Sequence, residues 1–320
     1  MRMMNATKAA ALSAALLSAL AWTPTWAQET SLIHIPGSSV PDIPMAEWET
    51  PVQDNGKPQR ARIGSIEGTA AMARAPENAT RYTAKEYNFP MGTLRVLNYK
   101  KDAGPVVHQI TFETQLMMLE GSATVGSGGK TVSLQKGDAV FLPSGVLRNP
   151  NPDGDTVVAT WIVSNKAERP KSVVVRGDDL PVTSIAQWMD GDEPKGAFTP
   201  EDIAKAPAHA GKFDLKRYAF DGNSIRHAML HKGGSTTPAT NGRHDILIYI
   251  TKGKMLRTED GVEYEVVAGD AIREEYQKTG LWDFLEESEF LATDMPFDPS
   301  RPRFNVQRTS NGKAGGGYPQ

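Results

Sequence analysis

The chain of 320 residues contains no cysteine. That excludes disulfides, zinc–thiolate sites and a lipidated N-terminal cysteine, so the folded state rests on core burial alone. Histidine is scarce as well. His34, His108, His209, His227, His231 and His244 are the whole supply, which leaves a metal centre built on imidazoles few ways to form. No charge of one sign dominates: 35 basic residues stand against 38 acidic ones, a formal net charge of −3. A basic stripe interleaved with aromatics is missing too, so nucleic acid is not an expected partner. There is no nucleophile elbow around a serine and no phosphate-cradling glycine loop. Gly126-Ser127-Gly128-Gly129 reads as a hairpin turn.

What is present begins with a segment for export. Arg2 and Lys8 supply a positive start, Ala9 to Ala21 is an apolar run too short to span a bilayer stably, and Thr25-Trp26-Ala27 places small residues for cleavage before Gln28. Residues 1–27 are therefore expected to be a signal peptide. The mature protein is expected in a bacterial periplasm, with no membrane contact after cleavage. A hydrophobic content of 39% is enough for globular cores, and 29 glycines with 22 prolines indicate many turns.

A repeat organises the rest. Gly121 is followed sixteen residues later by Gly137, in Gly137-Asp138-Ala139; Gly253 is followed sixteen residues later by Gly269, in Gly269-Asp270-Ala271. The two rulers lie 132 residues apart. Each first glycine follows a hydrophobic strand-like run, Leu116 to Glu120 and Ile248 to Lys252. Between the glycines lie short alternating segments, Lys130 to Leu134 and Glu263 to Val267. Strand, turn, strand, Gly-Asp turn and strand, repeated, predict a duplicated β-domain.

This spacing resembles the cupins, a superfamily of small antiparallel β-barrels. Their first motif is G-x5-H-x-H-x3,4-E-x6-G and their second G-x5-P-x-G-x2-H-x3-N, with three His and one Glu holding a metal. Gly137, Pro143 and Gly145 fit the second motif, whereas Arg148 stands at its His and Pro152 at its Asn. In the first motif His108 and Gly121 match, while Ile110 and Thr114 replace the second His and the Glu. The second copy is further eroded: Thr240, Gly242 and Ile246 occupy the ligand positions, and the turn Glu274 to Gly280 lacks the His. The resemblance implies an all-β fold of two cupin-like (double-stranded β-helix, jelly-roll) barrels with short connecting helices.

The expected organisation is a signal peptide over 1–27, a proline-punctuated arm and first strands over 28–84, and a first barrel over 85–165. A connector over 166–210 follows, then a second barrel over 211–298 and a loose tail over 299–320. In two-barrel cupins such an arm often packs on the other barrel. The connector is expected to carry two short helices, one near Ile185 to Met189 and one opened by Thr199 as cap with Pro200 at the first helical position.

Candidate site residues follow from these positions. In the first barrel they are His108, Tyr99, Glu113 and Arg148. A planar guanidinium suits a carboxylate, so Arg148 is expected to pair with Glu113 or with an acidic ligand. In the second barrel they are His227, His231, His244, Asp245, Tyr249, Glu275 and Trp282. His227 and His231 share one face of a strand about 13 Å apart and cannot meet at one ion. Glu113 and Asp245 are equivalent under the 132-residue offset, each one residue early for the family's Glu, which turns the side chain to the other face unless a bulge restores it. His108, His244 and Glu275 are the candidate proton carriers; the others are candidate ligand contacts. Arg273, Glu274 and Glu275 form a charged run, in which an inward glutamate would suit proton transfer.

The functional expectation is an exported bicupin that binds a small organic, acidic compound in a barrel lacking the usual metal, with no cofactor. The alternatives are a cupin-type isomerase, epimerase or lyase without metal, or a metal-dependent oxygenase or lyase using one divalent transition metal at a non-standard site in the second barrel. The expected partner is a small molecule, and a homodimer is compatible with the sequence.

Overall fold

The repeated glycines are repeated turns. Gly121 and Gly253 have φ of 74° and 81°, and Gly137 and Gly269 have φ of 87° and 95°. These values lie in the left-handed region where a Cβ is penalised, so each ruler marks two places where the backbone needs glycine. A computed structural model of the chain describes residues 34–50, 62–89, 92–101, 103, 108–109, 113–127, 130–143, 147–162, 172–220, 223–240, 245–259, 262–275 and 279–294.

The described residues form four antiparallel sheets, two per barrel. In the first barrel the large sheet runs Val173–Val175, Ala139–Leu142, Thr114–Glu120, Thr156–Ile162, Gly92–Tyr99, Thr80–Phe89, Ile43–Thr50 and Arg62–Glu67. The small sheet runs His108–Gln109, Leu147–Pro152, Ser122–Ser127 and Lys130–Gln135. The second barrel repeats this order. Its large sheet is His34–Ile35, Ala271–Glu274, Ile246–Lys252, Ser288–Asp294, Asn223–Leu230, Gly211–Phe220, Thr183–Asp190 and Glu193–Ala197; its small sheet is Ala239–Thr240, Thr279–Phe284, Lys254–Glu259 and Val262–Val267. This is the duplicated β-domain expected from the spacing and the all-β double barrel that the resemblance implied.

The barrels exchange their outermost strands. His34–Ile35 pairs with Ala271–Glu274 of the second barrel, while the strand that follows it, Ile43–Thr50, lies in the first. Reciprocally, Val173–Val175 pairs with Ala139–Leu142 of the first barrel, and Thr183–Asp190 lies in the second. Each exchange is pinned on the Gly-Asp turn. The Gly37 amide donates to Asp270 Oδ1 at 2.8 Å, and the Gly177 amide to Asp138 Oδ1 at 3.1 Å. The second oxygen of Asp270 meets His34 Nε2 at 2.8 Å, and that of Asp138 meets Arg176 Nη1 at 2.5 Å. A side chain at Gly37 or Gly177 would collide with the carbonyl of Gly269 or Gly137, so only glycine permits this approach. His34 is a part-buried partner in this clasp.

Packing follows the alternation of the strands. One face of each large sheet fills its own barrel: Leu97, Tyr99, Leu116, Met118, Val125 and Leu142 in the first, Leu230, Ile246, Ile248, Met255, Ile272 and Phe284 in the second. The opposite faces meet in a seam containing Tyr87, Phe141, Trp161, Tyr218, Leu247 and Tyr249. Burial of this apolar seam holds the barrels together as one compact unit. The Tyr87 hydroxyl donates to the Gly269 carbonyl at 2.6 Å, and Thr293 donates to Gln115 Oε1 at 2.7 Å across the seam. Burial pushes the phenols of Tyr218 and Tyr249 up to about 12 and raises Tyr87 further, so all three stay neutral.

The chain between the barrels differs from expectation. Ile185 to Met189 is strand, not helix: Thr183 to Gln187 pair residue by residue with Leu215 to Gly211, and Ile185 and Ala186 are buried. Good helix formers here yield to tertiary pairing. The second helix is present as Pro200–Lys205, with the Thr199 hydroxyl accepting from the Asp202 amide.

Candidate functional site

In the first barrel the small sheet sets His108 and Arg148 opposite each other as register partners. These are the two family ligand positions of the first barrel that still carry a side chain with ring or guanidinium nitrogens. Their side chains, like the whole of His244, lie outside the described residues. Arg148 is also the register partner of Ser127, six residues after Gly121. In the second barrel Glu259, six residues after Gly253, pairs with Gly280. The second-barrel counterpart of Arg148 is therefore Gly280.

A guanidinium lies against Gly280. It belongs to Arg257, two residues along the strand Lys254–Glu259, and a Cβ on Gly280 would run into its terminal nitrogens and carbon. Arg257 Nη2 donates to Glu259 Oε2 at 3.1 Å and Nη1 reaches Glu274 Oε1 at 3.2 Å. The Trp282 indole donates to the same Glu274 oxygen at 3.1 Å, and the Arg257 guanidinium carbon lies 5.0 Å from the Trp282 ring centroid. The side chains of Arg257 and Glu259 are 5% and 1% exposed. Alternation explains the convergence. Met255, Arg257 and Glu259 share one strand face, Ile272 and Glu274 share another, and Met255 and Ile272 belong to the barrel's internal core. Arg257 and Glu259 were not singled out from the sequence, and Glu274 only as a member of a run.

The first barrel holds a different interior. Tyr99, Leu116, Met118, Ala123, Val125, Pro152, Thr156 and Val158 line a cavity of about 10 Å³. That is room for about one water and no more. The Tyr99 and Tyr82 rings sit 5.0 Å apart beside it, both buried.

The remaining expected residues scatter. Asp245, 2% exposed, accepts from Arg273 Nε at 2.9 Å, and Glu275 meets Arg273 Nη2 at 3.2 Å. This trio shares the strand faces of Leu247 and Ala271 and so belongs to the seam side, not the barrel interior. The inward glutamate of the charged run is Glu274, not Glu275, because a single residue along a strand reverses the side chain. Among the described residues the irregularity of the following strand, Ile246–Lys252, falls between Ile250 and Lys252, away from Asp245. Tyr249 packs edge-on against Tyr87 in the seam, 5.9 Å between centroids, rather than walling a pocket. Trp282 does face the second barrel's interior. His227 lies 3.1 Å from Glu289, whose carboxyl is held below its usual range first by that hydrogen bond. His231, just past the strand Asn223–Leu230, lies between Asp214 and Glu287 at 3.2 and 3.4 Å, half exposed, and His227 is on the strand row opposite the interior residues Ala228 and Leu230. Glu113 is half-buried just before Thr114–Glu120. Among the described residues no group of three or more His, Asp or Glu side chains is arranged to hold a metal ion.

Two reciprocally clasped jelly-roll barrels of this order have the fold of the bicupins. The chain is similar in structure to a variant of oxalate decarboxylase from Bacillus subtilis, with a TM-score of 0.51 and 12% identity over 85% of this chain and 79% of that one. It is also similar to HEPD from Streptomyces albus, solved with 2-hydroxyethylphosphonate and Fe(II) bound, with a TM-score of 0.52 and 8% identity over 68% of this chain and 71% of that one. AerE from Microcystis aeruginosa matches with a TM-score of 0.50 and 12% identity, over 66% and 90%. No protein-family model and no curated relative matches the chain.

Proposed function

We propose that this protein is an exported bicupin that binds a small organic acid at the end of its first barrel, outside the packed interior, with Arg148 as the carboxylate partner and His108 beside it. The observation that carries this reading is the register pairing of His108 with Arg148 at two former ligand positions. A guanidinium presents a rigid fork of donors that fits a carboxylate in two places at once. It keeps the position attractive to anions without a metal. The two strand positions lie opposite each other in the small sheet of a barrel whose described core cluster is apolar, and a charge pair formed in such low-dielectric surroundings is stronger than one in water. The structural neighbours include an oxalate decarboxylase and a protein holding a phosphonate, so small anions are at home in this fold. Export rests on the charged start, apolar run and cleavage site of residues 1–27, and mass analysis of secreted protein is expected to find Gln28, or its cyclised form, at the N-terminus.

The test is a thermal-shift screen of small mono- and dicarboxylates, followed by calorimetry on the wild type and Arg148→Met. The substitution keeps most of the volume and removes the charge. Affinity for the best acid is expected to fall by about 2–5 kcal/mol with little change in stability. Equal affinity in the two proteins, or no acid that binds the wild type, overturns the reading. Loss of stability with no acid bound would assign Arg148 to an internal ion pair with Glu113. Conversion of a bound acid to product would make the same site that of an isomerase or lyase.

A further inference from the structure

We infer that the cation organising the interior of the second barrel is the Arg257 guanidinium, standing where the cupin family carries its metal. This goes beyond the acid-binding reading of the first barrel and does not depend on it. The register fixes the place. Gly280 is the counterpart of Arg148, hence of the histidine of the second motif, because Arg148 and Gly280 pair with Ser127 and Glu259 at equal distances from Gly121 and Gly253. No ligand side chain fits there while Arg257 is in position, since even a Cβ on Gly280 would strike the guanidinium. The family's Glu position is Ile246, buried in the apolar core.

The carboxylates present come from elsewhere. Glu259 and Glu274 hold the guanidinium from two sides at 3.1 and 3.2 Å, and the Trp282 face covers a third. A divalent ion entering this cluster would be repelled by the guanidinium at close range in a region of low dielectric, and it would compete with Arg257 for both carboxylates. The donor set therefore suits a fixed organic cation and does not fit a transition metal. A glycine at 280, a tryptophan face at 282 and two inward glutamates are what a buried guanidinium needs: space, a π-surface and acceptors for its charge. The chain supplies covalently what related barrels take from solution.

The experiment uses the mature chain purified without chelators or a metal-affinity tag. Elemental analysis is expected to find no stoichiometric transition metal in the second barrel. The melting temperature is expected to stay within about 1 °C on adding EDTA, Mn²⁺, Fe²⁺ or Zn²⁺, because a ligand bound only to the native state shifts it in proportion to its affinity. Arg257→Met leaves buried carboxylates without their cation and is expected to lower the melting temperature on the order of 10 °C. Arg257→Met combined with Glu259→Gln and Glu274→Gln is expected to recover much of that loss. Should Arg257→Met fail to fold, Arg257→Lys keeps the charge without the fork and supports the same comparison. Gly280→Ala supplies an independent readout: it is expected to destabilise the wild type strongly and an Arg257→Ala background little. A bound metal whose removal lowers the melting temperature would overturn the inference. So would an Arg257→Met protein as stable as the wild type, or a Gly280→Ala cost that is the same in both backgrounds.

Discussion

The two barrels share a backbone ruler and differ in what they enclose. Val125, Ser127 and Leu142 in the first occupy the positions of Arg257, Glu259 and Glu274 in the second, each 132 residues on. The strand pairings at these positions are the same in both. One interior is closed by aliphatic packing around Tyr99, the other by an ion cluster on Trp282. A jelly-roll of this size thus closes either way, provided the turns at its rim keep their glycines. The difference also shows where specificity resides: the fold is held by the seam and the turns, and the barrel interiors are left to diverge.

The largest effect is expected from forcing one interior into the other. Val125→Arg alone places an unpaired guanidinium in the apolar first barrel, where Val125 is 4% exposed. It is expected to cost at least ~4 kcal/mol in urea-induced unfolding. The reverse exchange, Arg257→Val with Glu259→Ser and Glu274→Leu, removes all three charges together. It is expected to remain within about 2 kcal/mol of the wild type, and on the stabilising side if the aliphatic groups pack. A large loss here would mean that the ion cluster contributes more than the packing that replaces it.

The two Gly-Asp clasps differ in a smaller way: an arginine serves Asp138 and a histidine serves Asp270. Burial pushes the Asp270 carboxyl up, but the hydrogen bonds from His34, Gly37 and Val267 outweigh it and hold the pKa below the usual value. A depressed folded pKa contributes stability that is present above the unfolded value of about 3.9 and is lost as pH falls through the folded one. Asp270→Asn is expected to cost about 2 kcal/mol at neutral pH, since the Gly37 amide and His34 lose a charged acceptor. The cost should shrink on acidification, as urea midpoints between pH 6 and pH 3 would record. A cost independent of pH would remove the carboxylate from this account. The smallest effect belongs to the surface: His231→Ala, whose side chain is 48% exposed, is expected to change stability by less than ~0.5 kcal/mol.

These contrasts mark how far the sequence could be read. The paired glycines were legible because a positive φ selects one residue type, and the fold follows from them. The exchanged strands left a second repeat that the glycine ruler overlooks: Gly37-x-x-Val40-Pro41 with Ala46 and Trp48, against Gly177-x-x-Leu180-Pro181 with Ala186 and Trp188, 140 residues apart. Read that way, Ile185 to Met189 matches the strand Ile43–Thr50 and is no helix. The candidate site was legible only where a family position kept a polar residue, as at His108 and Arg148. Arg257 escaped because its importance lies in its neighbours. Gly280 makes room 23 residues away, and Glu274 rather than Glu275 turns inward by the parity of one strand, which neither composition nor motif encodes. His227, His231 and Asp245 were reasonable ligands by type, but strand alternation sends them to the seam side or the outer surface.

The measurement that bears most directly on the account is calorimetric titration of the best small organic acid into three proteins: the wild type, Arg148→Met and the three-residue aliphatic exchange of the second barrel. The account predicts that Arg148→Met weakens binding at least about thirtyfold, while the exchange variant binds as the wild type does. Binding that survives Arg148→Met and disappears with the exchange would place the ligand on the Arg257 cluster and contradict the division of roles between the two barrels.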